Sequence, residues 1–395
     1  MRCFQVVWRC RLCDTIATET ADHRMPAPCG RPARQEWHTR GTDVEKHQVI
    51  IVGAGPAGAS CAKALHDRGI DVLVIDRARF PRHKTCSGVL FGQTQMLLRS
   101  YFGCLPPDPV YCSPREINAA AIREWKPDAG SSRYVWEIAK DAQAFSEVYY
   151  NIRRADFDHW LITRSGAQLR DGCSLSAVHS GHDGVRIAVR SGGISSELAC
   201  DYLVGADGGN STVRKLLDPR WAAEGPTVIA YQTYNYFQSR GDLPEGQWTV
   251  FFKPEIGDIL SCVHQKDDTL VLCVGGFKRR SLKKSMQAFR EFLVRDFKVV
   301  FRGLKRDEGC LIRMAPPCLG DGRVLLAGEA GGFIYLNGEG ISAAMDTGFR
   351  AGVAVFEALA GGSALERYAA ATADIAAHMG LCMQKLHFLC AGPAA

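Results

Sequence analysis

The sequence predicts an α/β fold in which a Rossmann-type domain, a parallel sheet with helices, is interleaved with a mostly antiparallel β-sheet domain. An apolar run at residues 48–52 is followed by a glycine-rich turn, a helical pattern and a second apolar run that ends at Asp76. Two later apolar runs, 201–204 and 323–327, also lead into glycine-rich turns. Between them, residues 226–277 alternate apolar and polar side chains as antiparallel strands do.

Composition narrows the class of protein. The chain has 395 residues, 46% hydrophobic and 23% charged, which is enough for two domains of a globular enzyme. A formal net charge of +6 suits anionic ligands such as phosphates. Aromatic residues are not interleaved with basic ones, so we expect no nucleic-acid partner. The chain lacks an apolar run of about 18 residues, and arginines interrupt the first 13, so we expect a cytoplasmic protein.

The cysteines predict buried thiols rather than a disulfide scaffold or a metal site. Sixteen cysteines are scattered along the chain, and only Cys10 and Cys13 form a CxxC pair. A second CxxC or a histidine pair at zinc-finger spacing is missing, as is the cysteine run of an iron–sulfur protein. Residues 1–46 lack periodicity, and we expect little fixed structure there.

The first glycine-rich turn is the strongest motif. Gly53 allows a tight turn, Gly55 lets the backbone approach a pyrophosphate, and Gly58 lets the following helix pack closely on the strand. The helix N-terminus presents free N–H groups to phosphates. An acid 18 residues after the last glycine is positioned for an adenosine ribose. The residues assigned to this half of a dinucleotide site are Gly53, Gly55, Ala57, Gly58, Asp76 and Arg77.

This unit suits NAD and FAD equally, and two downstream motifs favour FAD. Residues 204–208 (Val-Gly-Ala-Asp-Gly) place Asp207 in a glycine turn, and residues 326–332 place Glu329 in another. The segment Gly338-Glu-Gly-Ile341 then opens a helix. An acidic side chain can hold ribityl hydroxyls, and a helix N-terminus can face the N1–C2=O edge of a flavin. The cofactor is therefore predicted to be FAD.

In their order along residues 47–360, these motifs resemble those of the geranylgeranyl reductase family of FAD-dependent oxidoreductases. That family belongs to the p-hydroxybenzoate hydroxylase-like flavoproteins, with aromatic hydroxylases and flavin-dependent halogenases. Phe80-Pro-Arg-His-Lys-Thr-Cys-Ser-Gly88 is similar to the family's basic segment beside the flavin, and Arg154-Ala-Asp-Phe-Asp-His-Trp-Leu161 to its arginine-led helix. The resemblance implies FAD contacts at Cys86, Ser87, Gly88, Arg154, Val178, Asp207, Glu329, Gly340 and Ile341.

The chain departs from the family pattern at three sites, one of which is residues 333–337 (Phe-Ile-Tyr-Leu-Asn), which lack the proline often found before the flavin-facing glycines. Glu329 stands where the class has Asp, and one more methylene still reaches a ribityl hydroxyl after a small rotamer change. The family's aromatic-x-Trp-x-aromatic-Pro segment, which lines a lipid cavity, aligns with residues 260–265 (Leu-Ser-Cys-Val-His-Gln), whereas Gly275 and Gly276 are retained. We expect a narrower or more polar cavity. His264 is either a proton donor or a hydrogen-bonded structural residue, and the second reading is preferred.

The function predicted from this resemblance is reduction of carbon–carbon double bonds in an isoprenoid or other apolar small molecule. The alternatives are an FAD-dependent aromatic monooxygenase and a non-catalytic flavin-binding electron-transfer protein. No catalytic residue is identified, and NAD(P)H, ferredoxin or a quinol would donate electrons. The basic Lys385 and His387 allow peripheral membrane contact, although a solvated helix face explains them as well.

The motif order also predicts domain boundaries. The predicted ranges are an extension at 1–46, an FAD-binding domain at 47–110, 150–215 and 310–360, a substrate domain at 111–149 and 216–309, and a C-terminal helical segment at 361–395.

Overall fold

The computed structural model describes residues 44–124, 132–134, 148–222, 227–251, 253, 255–277, 281–313, 317–335 and 339–390. Most of the predicted extension, Gly338 of the helix-opening motif, and the side chains of Lys385 and His387 lie outside the described residues. Within these ranges the chain forms two mixed layers of sheet and helix. The predicted α/β class, a Rossmann-type sheet interleaved with a mostly antiparallel one, is confirmed.

Seventeen strands and seven α-helices are formed by the described residues. The strands are β1 (Glu45–Val52), β2 (Val72–Ile75), β3 (Val89–Leu90), β4 (Tyr111–Glu124), β5 (Ser132–Tyr134), β6 (Tyr149–Ile152), β7 (Gln168–Arg170), β8 (Cys173–Gly181), β9 (Gly184–Ser191), β10 (Ile194–Gly205), β11 (Thr227–Ser239), β12 (Gln247–Phe251), β13 (Ser261–Lys266), β14 (Thr269–Phe277), β15 (Val300–Arg313), β16 (Gly320–Asp321) and β17 (Val324–Leu326). The helices are α1 (Pro56–His66), α2 (Gly92–Phe102), α3 (Arg154–Arg164), α4 (Thr212–Leu217), α5 (Leu282–Phe297), α6 (Ile341–Leu359) and α7 (Ala364–Cys390).

The first sheet is parallel at its centre. Its strand order is β16-β17-β10-β1-β2-β7, and Ile51 of β1 pairs with Val204 of β10 on one side and Val74 of β2 on the other. The inner parts of these strands, residues 49–52, 72–75, 202–204 and 324–326, are apolar, and helices and a β-hairpin cover both faces of the sheet there. β10 starts at Ile194, seven residues before the predicted run, because its first half pairs with β9 in that hairpin.

The second sheet is mostly antiparallel and follows the order β15-β11-β14-β13-β12-β4-β6-β3. One of its faces packs on α5, where the rings of Phe251, Phe289, Phe292 and Phe297 form edge-to-face contacts. The other face is turned towards the cofactor domain. β3, which the predicted boundaries place in the cofactor domain, pairs with β6 at the edge of this sheet.

Helix α6 packs on the cofactor domain, and α5 covers one face of the substrate-domain sheet. α6 begins at Ile341, where the Gly338-Glu-Gly-Ile341 motif predicts a helix start, and a Cβ on its Gly348 would lie 2.1 Å from the carbonyl oxygen of Ala57 in α1. α5 runs from Leu282 to Phe297. None of the helices within the described ranges combines the length and hydropathy of a membrane-spanning segment.

Candidate cofactor and substrate site

The glycine turn after β1 has the geometry that a dinucleotide pyrophosphate requires. Gly53 has φ +105°, and a Cβ there would lie 2.4 Å from the carbonyl oxygen of Ala206. A Cβ on Gly58 would lie 1.8 Å from the carbonyl oxygen of Gly53, so only glycine fits at both positions. Among the described residues no side chain caps the start of α1 at Gly55, which leaves N–H groups of its first turn for phosphate oxygens.

Asp76, predicted to bind a ribose, also holds the turn in place. Its Oδ2 accepts a hydrogen bond from the N–H of Ala54 at 2.9 Å, and its Oδ1 accepts one from Ala78 at 2.9 Å. The side chain is 7% exposed, whereas the neighbouring Arg77 is exposed. The carboxylate therefore couples β2 to the glycine turn, and its contact with a ribose stays a prediction.

Arg82 was missed by sequence reasoning and lies over the glycine turn. Its Nη2 would be 3.4 Å from a Cβ on Gly55, and its Nη1 is 3.1 Å from Oδ2 of Asp158. The Nε lies 3.7 Å from Asp76. A guanidinium at this point matches the charge and geometry of a phosphate. The basic character of the segment 80–88 was the available signal, but it did not single out this residue.

Arg154 lies beside the same buried acid. Its Nε and Nη2 each donate to Asp158, at 3.0 Å, and the Asp158 side chain is fully buried. Burial lowers the pKa of Arg154, but Asp158 and Cys86 outweigh burial and raise it above its ordinary value. Arg154 thus stays charged, paired with an acid on its own helix and facing the thiol of Cys86.

The Cys86 thiol is activated by its surroundings. Burial raises its pKa, but Arg154, the Gly88 N–H and Lys84 together outweigh burial, and the pKa lies below its ordinary value. The Gly88 N–H donates to the Cys86 sulfur at 3.3 Å. Cationic groups around a thiol stabilise the thiolate. The predicted positions Cys86, Gly88 and Arg154 are therefore brought together.

The two acids of the later glycine turns have specific partners in the fold. Glu329 accepts a hydrogen bond from the Gly209 N–H; burial raises its pKa, and Lys84 partly opposes that rise. Asp207 accepts from Ser211 Oγ at 2.5 Å and from Thr212 N at 2.6 Å, so its carboxylate caps α4. Both turns adjoin the β1 turn, the first through Ala206 beside Gly53 and the second through Gly328 beside Ala57. The contacts of these carboxylates with FAD stay predictions.

Gly340 and Ile341 form the start of α6, as the motif predicts. The preceding Glu339 is buried, and its Oε1 accepts from the Ser342 N–H at 2.9 Å and from Thr94 Oγ1 at 3.1 Å. Burial raises the pKa of Glu339. A Cβ on Gly328 would lie 3.0 Å from the Cβ of Ala57 and 3.2 Å from the Cβ of Ala344 in the first turn of α6, so this end of α6 and the start of α1 adjoin through Gly328.

Val178 lies apart from these residues. β8 leaves the neighbourhood of Asp76 at Cys173, whose N–H donates to the Asp76 carbonyl oxygen. Val178 is five residues farther along, about 16 Å at strand rise, opposite Ile187 of β9. It packs against the apolar cluster on the hairpin side of the parallel sheet. The structure thus places Val178 away from the glycine turn, and its contact with FAD stays a prediction.

The substrate-domain face contributes His264. Its Nε2 lies 3.0 Å from the Ser87 carbonyl oxygen and its ring is 2% exposed. Burial, and then Lys266, lower its pKa to about 3, so the ring is neutral at neutral pH and Nε2 carries the donated proton. The geometry agrees with the structural reading of His264 and gives the proton-donor reading no support.

Lys266 is a second residue that sequence reasoning missed. Its Nζ donates to the Ile152 carbonyl oxygen at 2.5 Å, and burial lowers its pKa. A Cβ on Gly88, where φ is +67°, would lie 2.3 Å from that Nζ. Lys266 and His264 therefore position the Cys86–Gly88 segment from the substrate-domain side. A lysine after a polar run is an ordinary sequence feature, so nothing in the sequence predicted its burial.

Known proteins are similar to this chain in sequence. A model of the family described as FAD binding domain matches residues 46–104 and 133–281. An uncharacterised protein of Methanosarcina barkeri is 25% identical over 322 residues, covering 77% of this chain and 73% of its own. Protein CbrA of Escherichia coli O9:H4 is 26% identical over 327 residues, with 77% and 80% covered.

Solved structures share the fold at low identity. A geranylgeranyl bacteriochlorophyll reductase-like protein of Thermoplasma acidophilum has a TM-score of 0.73 at 16% identity, covering 88% of this chain and 89% of its own. The flavin-dependent brominase Bmp2 has a TM-score of 0.67 at 20% identity, with 87% and 89% covered. A complex of aklavinone-11 hydroxylase with FAD and aklavinone has a TM-score of 0.63 at 20% identity, with 81% and 64% covered.

The site and the comparisons agree on the cofactor. The glycine turn, Arg82 above it and the uncapped start of α1 fit a dinucleotide pyrophosphate, and the start of α6 adjoins them. The predicted FAD is the cofactor supported by the matching family. This chain belongs to the FAD binding domain family, as an FAD-dependent oxidoreductase.

Proposed function

We propose that this protein reduces a carbon–carbon double bond of an isoprenoid or other apolar substrate. When bound and reduced, FAD supplies the hydride for such a reaction. The chain's own residues bind the cofactor, orient the substrate and exclude water. The electron donor in this proposal is NAD(P)H, ferredoxin or a quinol.

The apolar cluster that follows the Cys86–Gly88 segment carries the proposal. Val89 and Phe91 continue directly from that segment and pack with Tyr149, Trp248 and Val250, all at most 7% exposed. Phe91 contacts the Trp248 ring edge-to-face, with centroids 5.6 Å apart. A buried apolar surface beside the predicted flavin face suits hydride transfer to an apolar alkene, because it excludes water from the reaction site.

Two further features support a reductase. The Cys86–Gly88 segment is held between Arg154 on one side and Lys266 on the other, which fixes the edge of the reaction site. The reductase-like protein of Thermoplasma acidophilum has a higher TM-score to this chain than the brominase or the hydroxylase above. Aromatic hydroxylation is the alternative, since hydroxylases share the fold and the Asp207-Gly208 turn.

Anaerobic turnover of the purified holoenzyme tests the proposal. We expect oxidised-flavin absorption bands and release of FAD on denaturation. After anaerobic reduction, a prenyl alkene should reoxidise the bound flavin and yield the saturated product by mass spectrometry. NADPH, reduced ferredoxin and a quinol, compared as donors, identify the electron source.

Two results would count against the proposal. Reoxidation by oxygen alone, with a hydroxylated product from a phenol, would favour the hydroxylase alternative. Rapid flavin reduction without reoxidation by any organic substrate would favour the electron-transfer protein.

A further inference from the structure

A row of side chains crosses the substrate-domain sheet on the face turned towards the cofactor domain. The strand registers align Val250, Cys262, Cys273, Gln232 and Glu308 across β12, β13, β14, β11 and β15. Residues directly opposite each other in antiparallel strands project from the same face. The row spans four strand intervals, about 19 Å at 4.8 Å each.

The direction of this face is set by the neighbours of the row. Thr233, next to Gln232 on β11, donates from Oγ1 to Met286 Sδ of α5 at 3.4 Å, so it projects from the α5 face. Because side chains alternate along a strand, Gln232 projects from the opposite face. His264, two residues from Cys262, projects from that face as well and contacts Ser87 of the cofactor side.

The two ends of the row differ in polarity. At one end, Val250 belongs to the apolar cluster with Trp248 and Phe91. At the other end, Gln232 is 2% exposed, and its Nε2 has no hydrogen-bond partner among the described residues. Glu308 Oε1, on the adjacent strand, likewise has none within the described chain. The other oxygen, Oε2, lies 2.5 Å from His83 and 3.6 Å from Arg306 Nε, and burial together with this carboxylate raises the pKa of Tyr234.

An unpaired donor and an unpaired acceptor thus lie on neighbouring strands, and neither is the partner of the other. A buried polar group without a hydrogen bond is unfavourable, and such groups in folded proteins are usually completed by water or a ligand. A hydroxyl group can accept one hydrogen bond and donate another, so a single hydroxyl completes both atoms.

We propose that Gln232 and Glu308 bind the hydroxyl head group of an amphipathic substrate whose apolar chain extends along the row towards Val250. This inference rests on the proposed function and specifies its substrate class: an apolar chain that ends in a hydroxyl group. Gln232 Nε2 donates a hydrogen bond to the hydroxyl oxygen, and Glu308 Oε1 accepts a hydrogen bond from the hydroxyl group. The row length suits a chain of about 19 Å or less.

Binding of two matched probes to the holoenzyme tests the inference. Farnesol carries a terminal hydroxyl on an apolar chain, and β-farnesene is a hydrocarbon of similar length without it. Their dissociation constants are measured by titration calorimetry on wild type, Gln232→Leu and Thr233→Val. Thr233→Val is the matched control because it is the adjacent buried residue and projects from the α5 face.

Wild type should bind farnesol at least about tenfold more tightly than β-farnesene, the scale of hydrogen bonds to a buried polar pair. Gln232→Leu should remove about tenfold of that preference without lowering the melting temperature, because Gln232 Nε2 has no hydrogen-bond partner among the described residues. Thr233→Val should keep the preference. Glu308→Gln should weaken farnesol binding and leave β-farnesene binding unchanged.

Equal binding of the two probes by wild type, or no saturable farnesol binding, overturns the inference. A Gln232→Leu protein that melts earlier and loses both probes equally also overturns it, since the amide would then be structural. These readouts are separate from turnover: tight farnesol binding without alkene reduction contradicts the proposed function alone, and reduction without hydroxyl preference contradicts the inference alone.

Discussion

The cofactor side and the substrate side of this site are built in different ways. Around the glycine turn, backbone geometry dominates: Asp76 accepts from two main-chain N–H groups, and Asp207 accepts from the Thr212 N–H and the Ser211 hydroxyl. On the facing sheet, side chains dominate, and Gln232 Nε2 and His264 Nδ1 are unpaired within the described part of the chain. A shared cofactor requires a constant backbone, whereas a substrate is selected by side chains that differ between relatives.

Substituting a turn glycine should have the largest effect and would break the cofactor side. In Gly58→Ala the new Cβ would lie 1.8 Å from the Gly53 carbonyl oxygen, so the turn must open. We expect loss of co-eluting flavin absorbance in gel filtration. Gly69→Ala is the control, because no described atom lies within 4 Å of its Cβ; φ of +74° there should cost only about 1 kcal/mol. Flavin retention by Gly58→Ala would contradict the assignment of the pyrophosphate site.

Substituting Asp158, the buried acid that Arg82 and Arg154 share, should have the next largest effect, which is a loss of stability. Asp158→Ala leaves Arg82 and Arg154 without their shared partner, and we expect a loss of about 3–5 kcal/mol in the free energy of unfolding. The control is Asp67→Ala, because Asp67 pairs with Lys63 at the same i,i+4 spacing but is 45% exposed. That change should cost at most about 1 kcal/mol in urea unfolding. Equal losses would show that Asp158 is not an organising residue.

On the substrate side, restoring a family aromatic tests whether the face has room for it. Cys262 is 4% exposed and lies against Cys273 and Trp248, so Cys262→Trp should overpack the sheet. We expect a loss of about 1–3 kcal/mol in the free energy of unfolding. Cys262→Ala, which adds no volume, is the control. A Cys262→Trp protein as stable as wild type would contradict tight packing of Cys262 against Cys273 and Trp248.

The smallest effect should appear in how the free energy of unfolding depends on pH. Because burial lowers the pKa of His264 from 6.5 to about 3, protonation opposes folding, and stability present above pH 6.5 is lost as pH falls towards 3. The contribution is up to about 1.4 kcal/mol per pH unit. His264→Gln retains a donor for the Ser87 carbonyl and should reduce this loss of stability, measured by urea unfolding between pH 7 and 5. His182→Gln, at a fully exposed histidine, should leave the loss unchanged.

The parts of the site that sequence predicted are those that local backbone constraints decide. The turn from Gly53 to Gly58, Asp76 after β2 and the start of α6 at Ile341 follow from strand, helix and glycine patterns within short segments. Val178 lies farther along β8, opposite Ile187 of β9, a position that strand register decides and that no local motif gives. The contacts of Glu329 and Asp207 with FAD stay predictions.

The sequence alone determined the fold class, the FAD cofactor and the order of the motifs, because each of the motifs involved is a short run of residues close together in the chain. Tertiary structure alone decided that Arg82 lies over Gly55, that Lys266 supports Gly88, and that Gln232 lies beside Glu308. These pairs join residues that are distant in sequence. Their contacts arise from strand register and loop packing, which no local pattern encodes.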